Sequence, residues 1–353
     1  MDNTPTIQIT SPAEGSVQTG PFEYLASATF KPTLSSSKGI IYCYYGTPTN
    51  PSSGLIMHKN CTTESCTIKH SELKGKLWEP PTGEYGAYCR ADGVGNVGIV
   101  GDTKNFKVDR VPTIQIISPE DGSVQTGPFD VKVTATFKPT LNSAKGSINC
   151  YYGSPTNPTN LFLSKQCTTE SCTIKHSELK GKLWEPPTGE YGVVCKATAG
   201  SNGSANDTKN FKVDRVPTIQ ITSPAEGSVQ TGPFDVKATA IFKPTLNNAK
   251  GSISCYYGSP TNPTNLFLSK QCTTESCTIK HSELKGKLWE PPTGEYGVVC
   301  KATAGSNGSA NDTKNFKVDR VPTIQIISPE DGSVQTGPFD VKVTATFKPT
   351  LNS

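Results

Sequence analysis

The sequence is built on a period. Pro5, Pro112, Pro217 and Pro322 occupy equivalent positions, 107, 105 and 105 residues apart. Residues 111–215 and 216–320 differ at seven positions, among them Ile117 against Thr222 and Asn149 against Ser254, and residues 321–353 repeat 111–143 without change. The first copy has drifted further, as in Glu23-Tyr24-Leu25 and Ala91-Asp92-Gly93. A period of roughly 20–50 residues marks a solenoid whose units cannot stand alone. The longer period found here gives each copy room for its own core, though not by a wide margin. We therefore read four units: residues 1–110, 111–215, 216–320, and 321–353, the last holding only the first two strands of a repeat.

Each complete copy is organised around one stretch, which lies at Pro80–Ala91, Pro186–Ala197 and Pro291–Ala302. A Pro-Pro-x-Gly turn breaks the chain, a tyrosine follows, and an alternating half-apolar strand carries a cysteine. In the second copy, Thr113–Ile117 alternates and ends in the turn Ser118–Gly122. Phe129–Phe137 has a clean period of two, apolar on one face and polar on the other, and Lys138-Pro139 stops it. Ser147–Gly153, Leu161–Ser164 and Cys172–His176 read as further strands. The organising stretch is the sixth, and Thr208–Asp214 the last. Segment 177–184 is the one place that suits a helical turn. The 32 glycines, 28 prolines and negative mean hydropathy (−0.41) fit short strands joined by turns better than helices. About seven such strands per copy predict an all-β protein of tandem sandwiches.

Several function classes fall away. The net charge of +4 is carried mostly by isolated lysines on alternating strands, as in Phe211-Lys212-Val213-Asp214. That is a solvated sheet face, and a nucleic-acid footprint needs a clustered basic stripe. No apolar run reaches the length of a membrane helix, so this chain is not expected to insert into a bilayer. No nucleophile–base pair, phosphate loop or paired carboxylates stand out, so we expect no enzyme, no catalytic residue and no cofactor. Asp214 and Glu226 near the junctions make no calcium loop. Met1-Asp2-Asn3 leads straight into a strand without a signal peptide, and Ser353 falls in mid-repeat. We expect an excerpt of a longer protein, with any export signal or anchor outside it.

Each copy has four cysteines: Cys43, Cys61, Cys66 and Cys89; Cys150, Cys167, Cys172 and Cys195; Cys255, Cys272, Cys277 and Cys300. An even count at repeated spacing predicts disulfides and an oxidising compartment. Four cysteines allow three pairings per copy. Cys167 and Cys172 bracket a tip loop whose ends must come close, which favours that pair and its equivalents Cys61–Cys66 and Cys272–Cys277. The competing reading is zinc at Cys167, Cys172 and His176 with Cys150 or Cys195. On a strand, Cys172 and His176 stand roughly 13 Å apart. We therefore expect no metal, and a His176 that faces solvent or a neighbour.

Ser118-Pro119-x-Asp-Gly122, Gly127-Pro128-Phe129, Pro187-x-Gly189-x-Tyr191 and the Val213-Asp214-x-x-Pro217 junction together resemble bacterial immunoglobulin-like repeats of cell-surface and extracellular proteins. Asp92…Gly95-Asn96 is similar to a signature that often follows the sixth strand in that class. The likeness spans the whole repeat, and its motifs specify fold rather than ligand. It implies that the third and sixth strands are sheet neighbours, which favours Cys43–Cys89, Cys150–Cys195 and Cys255–Cys300. The chain departs from antibody-type domains: no tryptophan sits on the third strand, and Tyr191 lies four residues before its cysteine rather than two. Both departures argue against a bridge between the second and sixth strands. Chain entropy gives ~2 kcal/mol for the short loop and ~4 kcal/mol for the long one.

Tyr191 is expected as a corner tyrosine, its ring in the core and its hydroxyl on nearby backbone. Trp184 suits a buried corner, with a sugar-stacking platform as the alternative. Tyr151 and Tyr152 alternate, so one of them should be exposed. Asn60, Asn202, Asn206, Asn307 and Asn311 head glycosylation triplets. At the joints, as in Val213-Asp214-Arg215-Val216-Pro217, no Gly/Ser linker intervenes and proline holds the preceding residue extended. A semi-rigid rod follows, each unit roughly 35–45 Å long and three spanning on the order of 120 Å. The first functional reading is a structural stalk or filament segment of a secreted or cell-surface protein. Its partners would be neighbouring repeats and other copies of the chain. The alternative is an adhesin whose repeats bind a host protein or glycan through Tyr152, Trp184 or the 200–207 loop.

Overall fold

The computed structural model describes residues 4–32, 36–95 and 98–351. Asn96 of the Asp92…Gly95-Asn96 signature lies outside the described residues. The first repeat runs β1 (Thr6–Ser11), β2 (Val17–Gln18), β3 (Leu25–Thr29), β4 (Gly39–Thr47), β5 (Asn50–Cys61), β6 (Ser65–Lys69), α1 (His70–Lys74), β7 (Gly83–Gly93) and β8 (Ile99–Val108). The second runs β9 (Thr113–Ser118), β10 (Val124–Gln125), β11 (Lys132–Thr136), β12 (Gly146–Ser154), β13 (Asn157–Cys167), β14 (Ser171–Lys175), α2 (His176–Lys180), β15 (Gly189–Thr198) and β16 (Ser204–Val213). The third repeats the order as β17 (Thr218–Ser223), β18 (Val229–Gln230), β19 (Lys237–Ile241), β20 (Gly251–Ser259), β21 (Asn262–Cys272), β22 (Ser276–Lys280), α3 (His281–Lys285), β23 (Gly294–Thr303) and β24 (Ser309–Val318). β25 (Thr323–Ser328) and β26 (Lys342–Thr346) follow as an antiparallel pair.

In the first repeat, β1-β3-β6 form one sheet and β2-β8-β7-β4-β5 the other. The third repeat gives β17-β19-β22 and β18-β24-β23-β20-β21. In these two repeats, among the described residues, only the short β2 and β18 pair in parallel, with β8 and β24. In the second repeat β11 lies between β9 and β14, and β12 between β13 and β15. β10 pairs in parallel with the end of β16. These are tandem immunoglobulin-like β-sandwiches. By compactness the chain divides into two units. One is Met1–Gly122 with Asp130–Leu183 and Tyr191–Phe211; the other is Ser123–Phe129 with Trp184–Glu190 and Lys212–Ser353.

The inward positions of the alternating strands make the core. In the first repeat Ala26, Ile41, Cys43, Ile68, Ala87, Cys89 and Ala91 are fully buried, and in the third Ala238, Ile253, Ile279, Val298 and Ala302 are their like. In the first and third repeats the single tryptophan is a hub. Trp78 stacks on Tyr24 at 5.1 Å and meets Phe22, Tyr45 and Phe106 within 5.8 Å. Trp289 meets Phe234, Tyr257 and Phe267 within 5.4 Å.

Several elements differ from the sequence reading; among them the last strand, expected from Thr208, begins at Ser204, so half of the 200–207 loop is strand, and the short β10 was not foreseen. The fourth strand, expected at 161–164, extends over all of β13, because it lies at a sheet edge where Pro158 loses no ladder bond. The second strand starts at Lys132 rather than Phe129. Phe129 bridges instead to Trp184, and Asp130 turns its carboxylate to the Ser177 amide at 2.9 Å. His176 is no strand residue facing solvent. It opens α2, is buried, and pairs its Nδ1 with the Lys182 carbonyl at 2.9 Å. The helical turn is that short because Gly181, at φ +71°, takes the left-handed C-terminal position.

Candidate functional site

The residues that recur with the most defined side-chain geometry sit where one repeat meets the next. Trp78-Glu79-Pro80-Pro81-Thr82 leaves the core tryptophan in an extended run, because proline excludes helix from the residue before it. Val108-Asp109-Arg110 carries the chain out of β8 towards it. Arg110 is 1% exposed and Glu79 20%, and their Nη1 and Oε1 lie 2.9 Å apart. Arg110 also donates from Nη2 to the Gly20 carbonyl at 3.0 Å, and its backbone amide donates to Thr82 Oγ1 at 3.0 Å. Burial lowers the Arg110 pKa, and Glu79 works against that shift.

The same side chains reach the second repeat. Glu79 Oε1 accepts from the Leu141 amide at 3.1 Å, and Thr82 Oγ1 donates to the Asn202 carbonyl at 3.1 Å. Gly20 lies so close to Pro139 that a Cβ there would sit 3.3 Å from the proline ring. A cleft of about 380 Å³ runs between these contacts, lined by Glu79, Arg110, Asn142, Lys145 and Asn202 among others. Lys145 Nζ closes it from one side through the Thr140 and Asn142 carbonyls, at 2.8 and 3.1 Å.

The next joint is built from the same parts. Arg215, again 1% exposed, pairs with Glu185 at 2.8 Å and donates to the Gly127 carbonyl at 3.1 Å. Its amide donates to Thr188 Oγ1, which in turn donates to the Asn307 carbonyl, each at 3.1 Å. Leu246 donates to Glu185 at 3.1 Å, and the cleft is again about 380 Å³. Glu290 and Arg320 form a third such pair, with the Leu351 amide on Glu290 at 3.4 Å. Sequence reasoning saw these joints only as the absence of a flexible linker. The signal was present as the co-recurrence of Trp-Glu-Pro-Pro-Thr with Val-Asp-Arg-Val-Pro.

The cysteines are joined as Cys43–Cys89, Cys61–Cys66, Cys150–Cys195, Cys167–Cys172, Cys255–Cys300 and Cys272–Cys277. Cys150 and Cys195 face each other on neighbouring strands of one sheet, so this bridge lies within a sheet rather than across the sandwich. All twelve thiols are consumed, which leaves no sulfur for zinc. Among the described residues no group of three His, Cys, Asp or Glu is placed to hold a metal.

Tyr152 and Trp184, the candidate ligand-binding residues, are both half-buried; Tyr152 packs edge-on to Phe162 at 5.2 Å and Trp184 to Phe129 at 5.4 Å. Tyr151 is half-buried too, so neither tyrosine of the pair is exposed. Tyr191 stacks on Phe211 at 6.0 Å. Its counterparts Tyr85 and Tyr296 donate their hydroxyls to Pro81 and Pro292 carbonyls four residues upstream, at 2.9 and 3.0 Å. Of the glycosylation triplets, Asn60, Asn206 and Asn311 are exposed, while Asn202 and Asn307 are half-buried in the joints.

No family model matches the chain, and no curated protein does. Among solved structures, a chain from the complex of Dpr2 Ig1-Ig2 with DIP-Theta Ig1-Ig3 is 12% identical at a TM-score of 0.32, covering 90% of this chain and all of that one. Titin domains I67–I69 are 13% identical at 0.36, covering 89% and 98%. The fibronectin(III)-like modules of CbhA from Clostridium thermocellum are 15% identical at 0.21, covering 58% and 94%. Scores this low carry no argument, and the fold assignment stands on strand order and sheet pairing.

Proposed function

We propose that the chain is a structural spacer: a stalk or filament segment of a secreted or cell-surface protein that sets the distance of something else. The observation that carries this reading is the clamp of glutamate, arginine and threonine, repeated with the same bonds at successive joints. A head-to-tail interface in which every unit offers both halves extends by adding copies. The disulfides support it further, since such bridges persist in oxidising compartments. No catalytic or cofactor role enters this reading. The bacterial origin suggested by the sequence resemblance belongs to it only as an expectation.

Small-angle scattering on one-, two- and three-repeat chains tests the idea. A maximum dimension that grows by a fixed increment, to on the order of 120 Å for three repeats, supports a spacer. A dimension that broadens or stalls as repeats are added, as jointed beads give, refutes it.

A further inference from the structure

One face of the first repeat differs in kind from the same face of its siblings. On the outer side of β5-β4-β7-β8, register aligns His58, Tyr42, Arg90 and Gly101 in one row, and Tyr44, Tyr88 and Thr103 in the next. Tyr42 stacks on His58 at 6.1 Å, and Tyr44 meets Tyr88 at 5.9 Å. The Arg90 guanidinium lies 4.9 Å from the Tyr42 ring centre and 5.9 Å from that of Tyr44. Asp92 pairs with Arg90 at 3.3 Å. The tyrosines are half-buried and His58 is exposed. Gly101 supports this surface by having no side chain, since a Cβ there would stand 2.5 Å from the Tyr88 ring.

In the second repeat the matching positions are Asn149, Ser164, Lys196 and Val194, and Asn149 is simply bonded to Ser164 at 2.7 Å. In the third they are Ser254, Ser269, Lys301 and Val299, with Asn311 opposite Lys301 where the first repeat has Gly101 opposite Arg90. The shared fold therefore does not require the aromatic surface. Two sandwiches of the same topology keep only the tyrosine at the Tyr44 position, as Tyr151 and Tyr256, and stand without the rest of it.

We propose that this face of the first repeat is a carbohydrate-binding platform that takes the sugar rings of a neutral glycan chain. A pyranose ring presents C–H bonds on its face and hydroxyls at its rim. The C–H face packs on the negative π-face of an aromatic ring. The rim hydroxyls both donate and accept, which matches Arg90, Asp92, His58 and the tyrosine hydroxyls. Arg90 and Asp92 neutralise each other, so the row offers no net charge to an acidic polymer. A shallow depression of about 370 Å³, shared by Leu55, His58 and Leu73, continues the face past the edge strand.

The siblings supply safe substitutions. Tyr42→Asn, His58→Ser and Arg90→Lys give the first repeat what the second already carries, so the triple variant should melt like the parent. The test is an array of immobilised neutral and acidic oligosaccharides, followed by calorimetry on the full chain with soluble neutral glycans that score. One site per chain is expected, and the triple variant should lose about tenfold or more in affinity. Transplanting the platform onto the second repeat, with Asn149→Tyr, Ser164→His, Val194→Tyr, Lys196→Arg and Asn206→Gly, should raise the stoichiometry to two. Silence across the array, binding of acidic glycans alone, three sites per chain, or affinity untouched by the triple variant would each overturn the proposal. It does not rest on the spacer reading, which scattering tests separately.

Discussion

Replacing Glu79 by glutamine keeps the shape of the side chain and its ability to accept from Leu141, and removes the charge opposite Arg110. The charge centres are about 4 Å apart, where an effective dielectric of ~20 gives roughly 4 kcal/mol of attraction. Removing one partner of a fully buried pair costs about 3–5 kcal/mol, against about 0.2–1 kcal/mol for an exposed one. Arg110 is 1% exposed but Glu79 is 20%, so this pair falls between the limits. We expect Glu79→Gln to destabilise the first repeat by ~2 kcal/mol. Each repeat has one tryptophan, so a Trp184→Phe/Trp289→Phe background leaves Trp78 reporting the first repeat alone. With a urea m-value of about 2 kcal/mol/M, the Trp78 midpoint should fall by about 1 M. Adding Arg110→Met removes the stranded cation and should restore at least half of the loss, because the penalty lies in an uncompensated buried charge. A midpoint shift no larger than an exposed pair gives, or a double variant weaker than the single one, would falsify the idea of a buried clamp.

Burial pushes the Tyr24 hydroxyl well above its ordinary value near 10, and raises Tyr85 less. The folded state then holds protons that the unfolded state releases, so stability is intact below pH 10 and falls as pH rises beyond it. Val131 and Val236 stand where the first repeat has Tyr24, so alkaline melts should unfold the first repeat before the third. Equal alkaline loss in both would contradict this. Replacing Cys150 and Cys195 together by alanine should cost the second repeat ~4 kcal/mol, and replacing Cys167 and Cys172 ~2 kcal/mol. Trp184 fluorescence in urea should rank them in that order, and the reverse ranking counts against loop length as the cause. Gly146→Ala places a methyl 2.3 Å from the Phe137 ring and 2.4 Å from the Thr198 carbonyl, a backbone clash. A loss of at least ~2 kcal/mol is expected, and a parent-like midpoint would show that the backbone yields there.

The fold was legible because its signals are local. Alternation in Val131-Lys132-Val133-Thr134-Ala135, the Pro-Pro-x-Gly break and the cysteine spacing each act within a few residues. The errors fell where tertiary context decides. Pro158 reads as a loop signal, and only its place on a sheet edge lets it lie within β13. His176 continues an alternating run, yet the Asp130 carboxylate 47 residues away in sequence takes the Ser177 amide and helps a helix begin there. The joint was hidden for the same reason. Glu79 and Arg110 are separated by 31 positions, and the groups they hold in the next repeat lie further on. The platform of the first repeat was missed because Tyr42, His58 and Arg90 come from three strands. No stretch of sequence shows them as neighbours.

The joint and the platform obey opposite rules, and this separates what is generic in the repeat from what is particular. A clamp contributes only if both halves are present. Glu, Thr and Arg stand at one end of a repeat, and the proline, the leucine amide and the asparagine carbonyl that meet them stand near the other end of the next. A repeat copied whole carries both halves, so each added copy forms a joint with its predecessor without new sequence. The outer sheet face has no such obligation, because no neighbouring element needs it. It is tyrosine, histidine and arginine in the first repeat, asparagine, serine and lysine in the second, and serine, serine and lysine in the third. The three repeats thus share the residues that join them and differ on an outer sheet face, which is where a tandem array can change its surface without changing its joints.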